Sequence, residues 1–384
     1  MRIAYIGQKG IPMTQGGVEA HVENLAVEMA KLGHEVFVYT RDYYTDKNLK
    51  EYKGVKLISI PSIRTKNLDT ITHVLFSTIH ALFQKYDVIH YHSVGASLMS
   101  FIPRIFSRAK VVGTFHCLDR FHQKWGFFAR LMLRIGEWTV CYFPHKTIAV
   151  SQYIQKYCLD DYGKKVDYIP NGFSIEKNEN TEILEKLNIK PKKYFLYVTR
   201  LIRHKGVHYL IDAYKKLNNP DFQLVIVGDT FHNDDYKMEL MKMVENEKNI
   251  IFTGTQMDGN LDALFTHAYA YVLPSENEGL SISFLEAMAH GLPLIASEIE
   301  ANQDFIDKGL IYGFKNKDVQ GLKTKMSWMI ENYDTALAKA QKTAEYIQEN
   351  FSWNKIANQI QELYKQNECL QNLHKKAFVQ KTSK

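Results

Sequence analysis

Short apolar runs alternate along the chain with longer stretches whose apolar positions recur every three to four residues. That alternation predicts parallel sheets built from βαβ units. In the first half, RIAYIG, EVFVYT, VKLISI, DVIHYHS, VVGTFH and TIAVS read as strands. After the first of them, Val18, Val22, Leu25, Ala26 and Met29 fall on one face of a helix that Gly33 stops. The pattern restarts in the second half. YFLYVTR, FQLVIVG, NIIFTG, AYVLP and PLIAS read as strands, with GVHYLIDAYKKL, NLDALFTHA and SFLEAMAHG as helices between them.

The polar stretch SIEKNENTEILEKLNIKPKK separates the halves and reads as a linker plus a short helix. The expected division is a first domain over 1–172, a linker over 173–191 and a second domain over 192–350. Helical patterns dominate after residue 317. In FSWNKIANQIQELY, Trp353, Ile356, Ile360 and Leu363 share one face, and a helix over about 351–366 is expected to pack back on the first domain. The Lys-rich tail beyond Cys369 is expected to fray. The fold class is therefore α/β: two doubly wound, Rossmann-like domains facing across a cleft, with ligands at the carboxyl ends of the strands.

Composition narrows the function. The 384 residues are 45% hydrophobic and 23% charged, ordinary for a globular protein of two domains. A net charge of +6 suits an anionic ligand or an anionic membrane, and no nucleic-acid-binding signature is present. Cys117, Cys141, Cys158 and Cys369 form no CxxC pair and no zinc spacing, which fits a reducing cytoplasm. MRIAYIG enters a strand directly with no apolar signal core, and ITHVLFSTIHALF is too short and polar to span a bilayer. A cytoplasmic protein, peripheral to a membrane at most, is expected.

Four constellations could carry chemistry. In GQKGIPMTQGGVEAH, residues 7–21, a glycine-containing loop opens the first helix. Backbone N–H groups and the helix dipole bind phosphate at such a place, and Gly16 and Gly17 permit close approach. Gly7 and Gly10 do not complete the dinucleotide fingerprint GxGxxG. A plain turn would need the same glycines, and Glu19 in the first helical turn suits the dipole. In VTRLIRHKGV, residues 198–207, Arg200 and Lys205 flank a strand end where two cations can face one diphosphate. A solvated basic loop would look alike, and Arg203 and His204 are expected to be exposed.

The third constellation is SENEGLSISFLEAMAHGLP, residues 275–293. Glu278 follows a strand, and Glu286 falls about one turn inside the next helix. Gly279, Leu280, Ser281 and Ile282 offer backbone groups at its start. Apolar neighbours surround Glu286, so its carboxylate needs partners, which vicinal sugar hydroxyls supply. The fourth is His116, ending VVGTFH at the mouth of the expected cleft; a structural histidine is the alternative, and His90 and His92 occupy a similar strand end. The spacing shows no metal cluster and no nucleophile triad.

Together these residues resemble the retaining glycosyltransferases of family four, which have the GT-B fold, and the likeness spans nearly the whole chain. Its E-x7-E pattern is met by Glu278 and Glu286, its Arg…Lys-Gly pattern by Arg200, Lys205 and Gly206, its Gly-Gly loop by Gly16 and Gly17, and its strand-end histidine by His116. The chain departs from the family's frequent EGFGL with EGLSI, Ser281 standing for a glycine. The resemblance implies that Arg200 and Lys205 bind the donor diphosphate. Glu286 would hold the ribose, Glu278 the transferred sugar with help from the backbone of residues 279–282, Gly17 the diphosphate from the other domain, and His116 the sugar. It implies a nucleotide-diphosphate sugar as co-substrate, a glycan or lipid-linked acceptor, retention at the anomeric carbon, and no metal or other cofactor. The start, IGQKGIP…GGVE, is similar to bacterial rhamnosyl- and related transferases of polysaccharide assembly.

Rival readings are a sugar-nucleotide epimerase of the same fold, a nicotinamide-dependent oxidoreductase, which the missing GxGxxG disfavours, and a non-catalytic partner subunit. One further segment, FHQKWGFFARLMLRIGEW at 121–138, places Lys124, Arg130 and Arg134 among Trp125, Phe128, Leu131 and Met132. That mixture predicts a helix resting on an anionic membrane, or a core helix with a basic edge.

Overall fold

Runs of β-branched and aromatic residues set the strands. The computed structural model describes residues 1–14, 16–65, 68–118, 120, 126–230 and 235–366. The first half contributes β1 (Arg2–Ile6), β2 (Glu35–Arg41), β3 (Glu51–Tyr52), β4 (Val55–Ile60), β5 (Val88–His92), β6 (Lys110–Phe115), β7 (Lys146–Ala149) and β8 (Asp167–Tyr168). They form one sheet in the order β3-β4-β2-β1-β5-β6-β7-β8, parallel except at β3. The second half contributes β9 (Tyr194–Val198), β10 (Gln223–Val227), β11 (Ile250–Gly254), β12 (Ala270–Leu273), β13 (Leu294–Glu298) and β14 (Tyr312–Lys315). These form an all-parallel sheet in the order β11-β10-β9-β12-β13-β14. β3 and β8 are too short for the hydrophobic pattern to reveal, and β14 (YGFK) is half-polar.

The first-half helices are α1 (Gly17–Lys31), α2 (Asp69–Leu82), α3 (Val94–Ser97), α4 (Phe101–Phe106), α5 (Phe127–Tyr142) and α6 (Gln152–Tyr162). The second half adds α7 (Glu182–Lys186), α8 (Val207–Leu217), α9 (Asp235–Met243), α10 (Asp258–Thr266), α11 (Ile282–Ala289), α12 (Glu300–Asp307), α13 (Val319–Glu331) and α14 (Tyr333–Asn350). A last helix, α15, runs over 353–366. α7 and Ile189 pack into the second core through buried Ile183 and Leu184, so part of the linker belongs to that domain.

α1 and α15 cover one face of the first sheet, sharing a core of Ile3, Tyr5, Val22, Leu25, Trp353 and Ile356. Each fully buried apolar side chain of α15 contributes about 1.5–3 kcal/mol. Trp353 lies on Gly172, where an added Cβ would sit 2.5 Å from the indole. The chain thus leaves the first domain, builds the second and returns. The opposite face of the first sheet is covered by α2–α5: Gly113 of β6 looks at Ser97, Val140 and Pro144, and Val74 and Ala81 pack over β1 and β5.

Both sheets reverse their winding direction once, between β1 and β5 and between β9 and β12. Diverging helices at such a reversal leave a crevice at the carboxyl ends of the strands. The two crevices face each other. No helix among the described residues is long and apolar enough to cross a membrane.

Candidate functional site

One cavity opens between the two crevices. Gly16, Gly17 and His116 line it from the first domain, and Arg200, Lys205, Glu278, Glu286 and residues 279–282 line it from the second. Every residue singled out as a site candidate therefore reaches the same space.

On the second-domain wall, β9 ends at Val198 and the chain turns through Arg200 into a short 3-10 turn, Arg203–Lys205. Gly206 closes the turn at φ 69°; a Cβ there would meet the Pro274 carbonyl oxygen at 2.1 Å, so only glycine fits. That approach brings Lys205 against the loop after β12. Its ammonium donates to both carboxylate oxygens of Glu278, at 2.6 and 2.7 Å. Ser275 Oγ donates to the same carboxylate at 2.7 Å, and the Tyr197 hydroxyl donates to the Lys205 carbonyl at 2.8 Å. Glu278 is thereby fixed in place, and one cation faces the cavity already paired. Arg200 is exposed to the cavity, and its guanidinium makes no hydrogen bond or ion pair with a described residue.

α11 begins at Ser281, whose hydroxyl accepts from the Phe284 N–H as an N-cap. Ser281 thus has a local role that a glycine at this position would lack. Glu286 sits one turn in. Its side chain is half-buried, reaches the cavity and has no hydrogen-bond partner among the described residues. Desolvation, and secondarily the Asp262 carboxylate, push its pKa up to about 8. A carboxyl group in that state is short of polar partners.

The first-domain wall is made differently. The loop after β1 is pinned by α1: Glu19 accepts the Lys9 N–H at 3.1 Å and Glu23 accepts the Met13 N–H at 2.5 Å. Glu19 does lie in the first helical turn, but it also holds the loop, and a Cβ on Gly16 would meet its carboxylate at 2.2 Å. Gly17, the first residue of α1, differs: a Cβ there meets nothing within 4 Å. The two walls touch where Gly279 passes the His116 carbonyl so closely that a Cβ would lie 1.8 Å from it. Asn171 bridges them too, donating from Nδ2 to the Leu280 carbonyl at 2.6 Å while its Oδ1 lies 2.9 Å from His21 Nδ1.

His116 is buried beside two other imidazoles. His92 Nδ1 is 3.2 Å from His116 Nε2, and the His21 ring centre is 4.7 Å from that of His116. Burial holds His21 down at about 4, and holds His92 and His116 well below their ordinary value, so all three are uncharged at neutral pH. One nitrogen from each lies within 4.8 Å of the others, and Nε2 of His21 and of His92 has no hydrogen-bond partner among the described residues. Such a set has the donor chemistry of a divalent transition-metal site. The spacing gave no metal cluster because the three residues come from separate elements, α1, β5 and the end of β6. His90, by contrast, points into the interior, 2.7 Å from both the Tyr364 hydroxyl and Thr114 Oγ1.

One further expectation is corrected, that for His204. His204 is half-buried and lines the cavity, whereas Arg203 is exposed and paired with Glu239. Asp229, Thr255 and Gln256 also line the cavity, although no motif singled them out. They follow β10 and β11, and position at a strand's carboxyl end was the available signal. The helix expected to rest on a membrane starts at Phe127; Arg130 and Arg134 are exposed, while Lys124, Trp125 and the Phe128 side chain lie outside the described residues.

Comparisons with known proteins agree with this geometry. Residues 15–177 match the family model described as Glycosyltransferase Family 4, and residues 179–350 match that described as Glycosyl transferases group 1. An uncharacterized glycosyltransferase of Methanocaldococcus jannaschii is 28% identical, over 95% of this chain and 98% of its own. The alpha-monoglucosyldiacylglycerol synthase of Streptococcus pneumoniae is 26% identical, over 77% of this chain and 71% of its own. Among solved structures, sucrose-phosphate synthase from Thermosynechococcus elongatus superposes with a TM-score of 0.81 at 23% identity, covering 96% of this chain and 99% of its own. Anabaena HepE, solved in complex with UDP and glucose, does so with a TM-score of 0.79 at 22% identity, covering 94% and 99%. With two Rossmann-like domains of GT-B architecture and family models matching both, the chain belongs to the glycosyltransferases of family four.

Proposed function

We propose that the protein transfers a hexose-type sugar, with retention at the anomeric carbon, from a nucleotide diphosphate to a glycan or lipid-linked acceptor in polysaccharide or glycoconjugate assembly in the cytoplasm. The observation that carries this reading is the Arg200 guanidinium beside the Lys205–Glu278 pair, with the Glu286 carboxyl on the same wall of the cavity, Arg200 and Glu286 having no side-chain partner among the described residues. Arg200, Lys205 and the start of α11 offer positive charge to a diphosphate. Glu286 suits the two ribose hydroxyls, and Glu278 the transferred sugar. In the reaction, the bond from the anomeric carbon to the diphosphate oxygen breaks and the acceptor oxygen bonds to that carbon on the same face. The acceptor's proton passes to the leaving diphosphate. Negative charge grows on that group, and fixed cations beside it stabilise the transition state more than the ground state.

HepE was solved with UDP and glucose, which supports a nucleotide-sugar donor here. Similarity to an O-antigen chain mannosyltransferase of Escherichia coli, 25% identical over 95% of this chain, supports an acceptor in surface polysaccharide assembly. Labelled nucleotide-sugars should be incubated with lipid-linked and free glycan acceptors, and the anomeric configuration of any product read by NMR. Product should form with retained configuration and persist in excess EDTA. An inverted product refutes retention, and loss of turnover on chelation assigns the three-histidine cluster a metal. Conversion of the donor without an acceptor would establish the epimerase instead.

A further inference from the structure

Among the described residues, eighteen large apolar side chains are exposed, and fourteen of them fall between Ile63 and Tyr142. Isolated exposed apolar residues are ordinary on any surface; their concentration on one helical layer is not. α5 shows it best. The residues it turns outward recur at helical spacing and include Phe127, Leu131, Ile135 and Trp138, with Arg130 and Arg134 set between them. A helix packed on a sheet ordinarily turns its polar stripe outward.

α4 repeats the arrangement in less space: Ile105 is 66% and Phe106 71% exposed, beside exposed Arg104 and Arg108. α2 adds Phe76 and Ile79, and Phe83 just after it is 77% exposed. These helices lie on the same face of the first sheet. The Phe101 and Trp138 rings both lie against Phe143, at 5.7 and 5.2 Å, which joins α4 to the end of α5.

Charge is segregated with the apolar surface. Residues 88–142 hold seven Lys and Arg against two acidic residues; Lys110 is buried against carbonyls of α15 and Arg120 is paired, whereas Arg104, Arg108, Arg130 and Arg134 are exposed. Of those two acids, Glu137 is fully buried and paired with Arg120. No described carboxylate forms an ion pair with Arg104, Arg108, Arg130 or Arg134. Along the chain, the face follows closely on a residue of the cleft. α5 begins ten residues beyond Cys117, which lines the cavity beside His116, and Phe127 at its start is 86% exposed.

We propose that the outer face of α2, α4 and α5 docks on an anionic lipid bilayer, with the aromatic and aliphatic side chains in the interfacial region and the arginines on the headgroups. Apolar side chains interleaved with unpaired cations match the two layers of such a surface. A docked enzyme would be held close to an acceptor in the membrane.

The test is co-sedimentation of the full chain with vesicles of phosphatidylglycerol and phosphatidylcholine, and with phosphatidylcholine alone, over a salt series. It reads no glycosyl transfer, so its failure is separate from failure of the proposed reaction. Binding should require the anionic lipid and weaken with salt. Reversing Arg104, Arg108, Arg130 and Arg134 to Glu should abolish it; loss of one arginine costs about fivefold, the factor that about 1 kcal/mol converts to. Phe106→Ser with Phe127→Ser should weaken binding at low salt, while thermal midpoint and nucleotide affinity stay those of the parent. No sedimentation, or sedimentation that neither variant changes, overturns the proposal. So does sedimentation velocity showing a dimer that both variants dissociate, since a second copy would then own the face.

Discussion

Ionisable groups crowd the second-domain wall of the cleft, whereas the wall opposite offers backbone and uncharged rings. Arg200, Lys205, Glu278 and Glu286 stand on the loops after β9 and β12 and on α11, all anchored to one sheet. Facing them are Gly16, Gly17 and the neutral imidazole of His116, supported by His21 and His92. The difference assigns labour. A diphosphate's charge is met from one side by groups whose mutual distances one rigid sheet sets. The other wall adds shape, N–H groups and exclusion of water, none of which adds net charge. Arg200 and Lys205 differ in turn, because Lys205 already has a partner.

If the charged wall performs catalysis, its removal has the largest effect. Arg200→Ala should lower turnover at saturating donor by on the order of 10²–10³, the worth of one preorganised electrostatic group. Nucleotide affinity should fall by much less. Arg200→Lys should rescue only in part, because a compact ammonium lacks the bidentate fork. Lys205→Ala should lose turnover similarly and also destabilise the fold, since the buried Glu278 carboxylate would lose its ammonium partner and retain the Ser275 hydroxyl. Steady-state kinetics decide it. A rise in donor KM at unchanged turnover would make the wall a binding surface only.

Glu286 sharpens the comparison next, as the carboxyl group of that wall with no hydrogen-bond partner among the described residues. Glu286→Ala should weaken nucleoside diphosphate binding by about 1.5–3 kcal/mol, or roughly ten- to 150-fold. Isothermal titration reads this, and equal affinities would remove the ribose role. Stability should move the other way. Its pKa is raised to about 8 in the folded protein from an ordinary value of 4.5, so the folded state holds its proton more tightly. The group's contribution to stability is therefore full below about pH 4.5 and lost as pH rises through about 8. Glu286→Gln should unfold at a higher temperature than the parent above about pH 8, by on the order of 2 kcal/mol, with the gap closing toward pH 5. A gap independent of pH would refute the titration.

These residues were legible in the sequence to different degrees, for a physical reason. Glu278, Glu286, Arg200 and Lys205 lie within local stretches whose strand-then-helix pattern states where each side chain falls, so eleven positions that now line one cavity were found by spacing and family likeness. The three-histidine cluster was invisible, because it is assembled by the winding of the first sheet from residues 21, 92 and 116. Asp229 and Thr255 carry no motif at all. Among the strands, every run of four or more apolar residues was found, and β14, with a half-buried Tyr312 and a single buried aromatic, Phe314, was not. Hydrophobic periodicity reports burial along one element; it is silent about which elements meet. The exposed apolar stripe of α5 was half-legible for the same reason, since the pattern shows an apolar stripe beside arginines but not whether the stripe faces the core.

The uncharged wall can be tested by its two kinds of glycine. Gly16 at φ 109° and Gly279 under the His116 carbonyl are demanded by the fold itself. Gly17 is not: its φ is unexceptional, it begins α1, and a methyl group there would meet open space. Neither backbone conformation nor packing explains a glycine at that position, whereas a phosphate resting on the helix start would, because the Cβ occupies the approach. Stability and binding should therefore move in opposite directions. Gly17→Ala should leave the fold unharmed or stabilise it by about 0.4–1 kcal/mol, as glycine replacement does where the backbone is compatible. The same variant should lose about three- to tenfold in nucleoside diphosphate affinity, the worth of an ordinary hydrogen bond, while a nucleoside without phosphates binds unchanged. If diphosphate affinity is unaltered, the diphosphate does not reach Gly17, and the charged wall holds the donor alone.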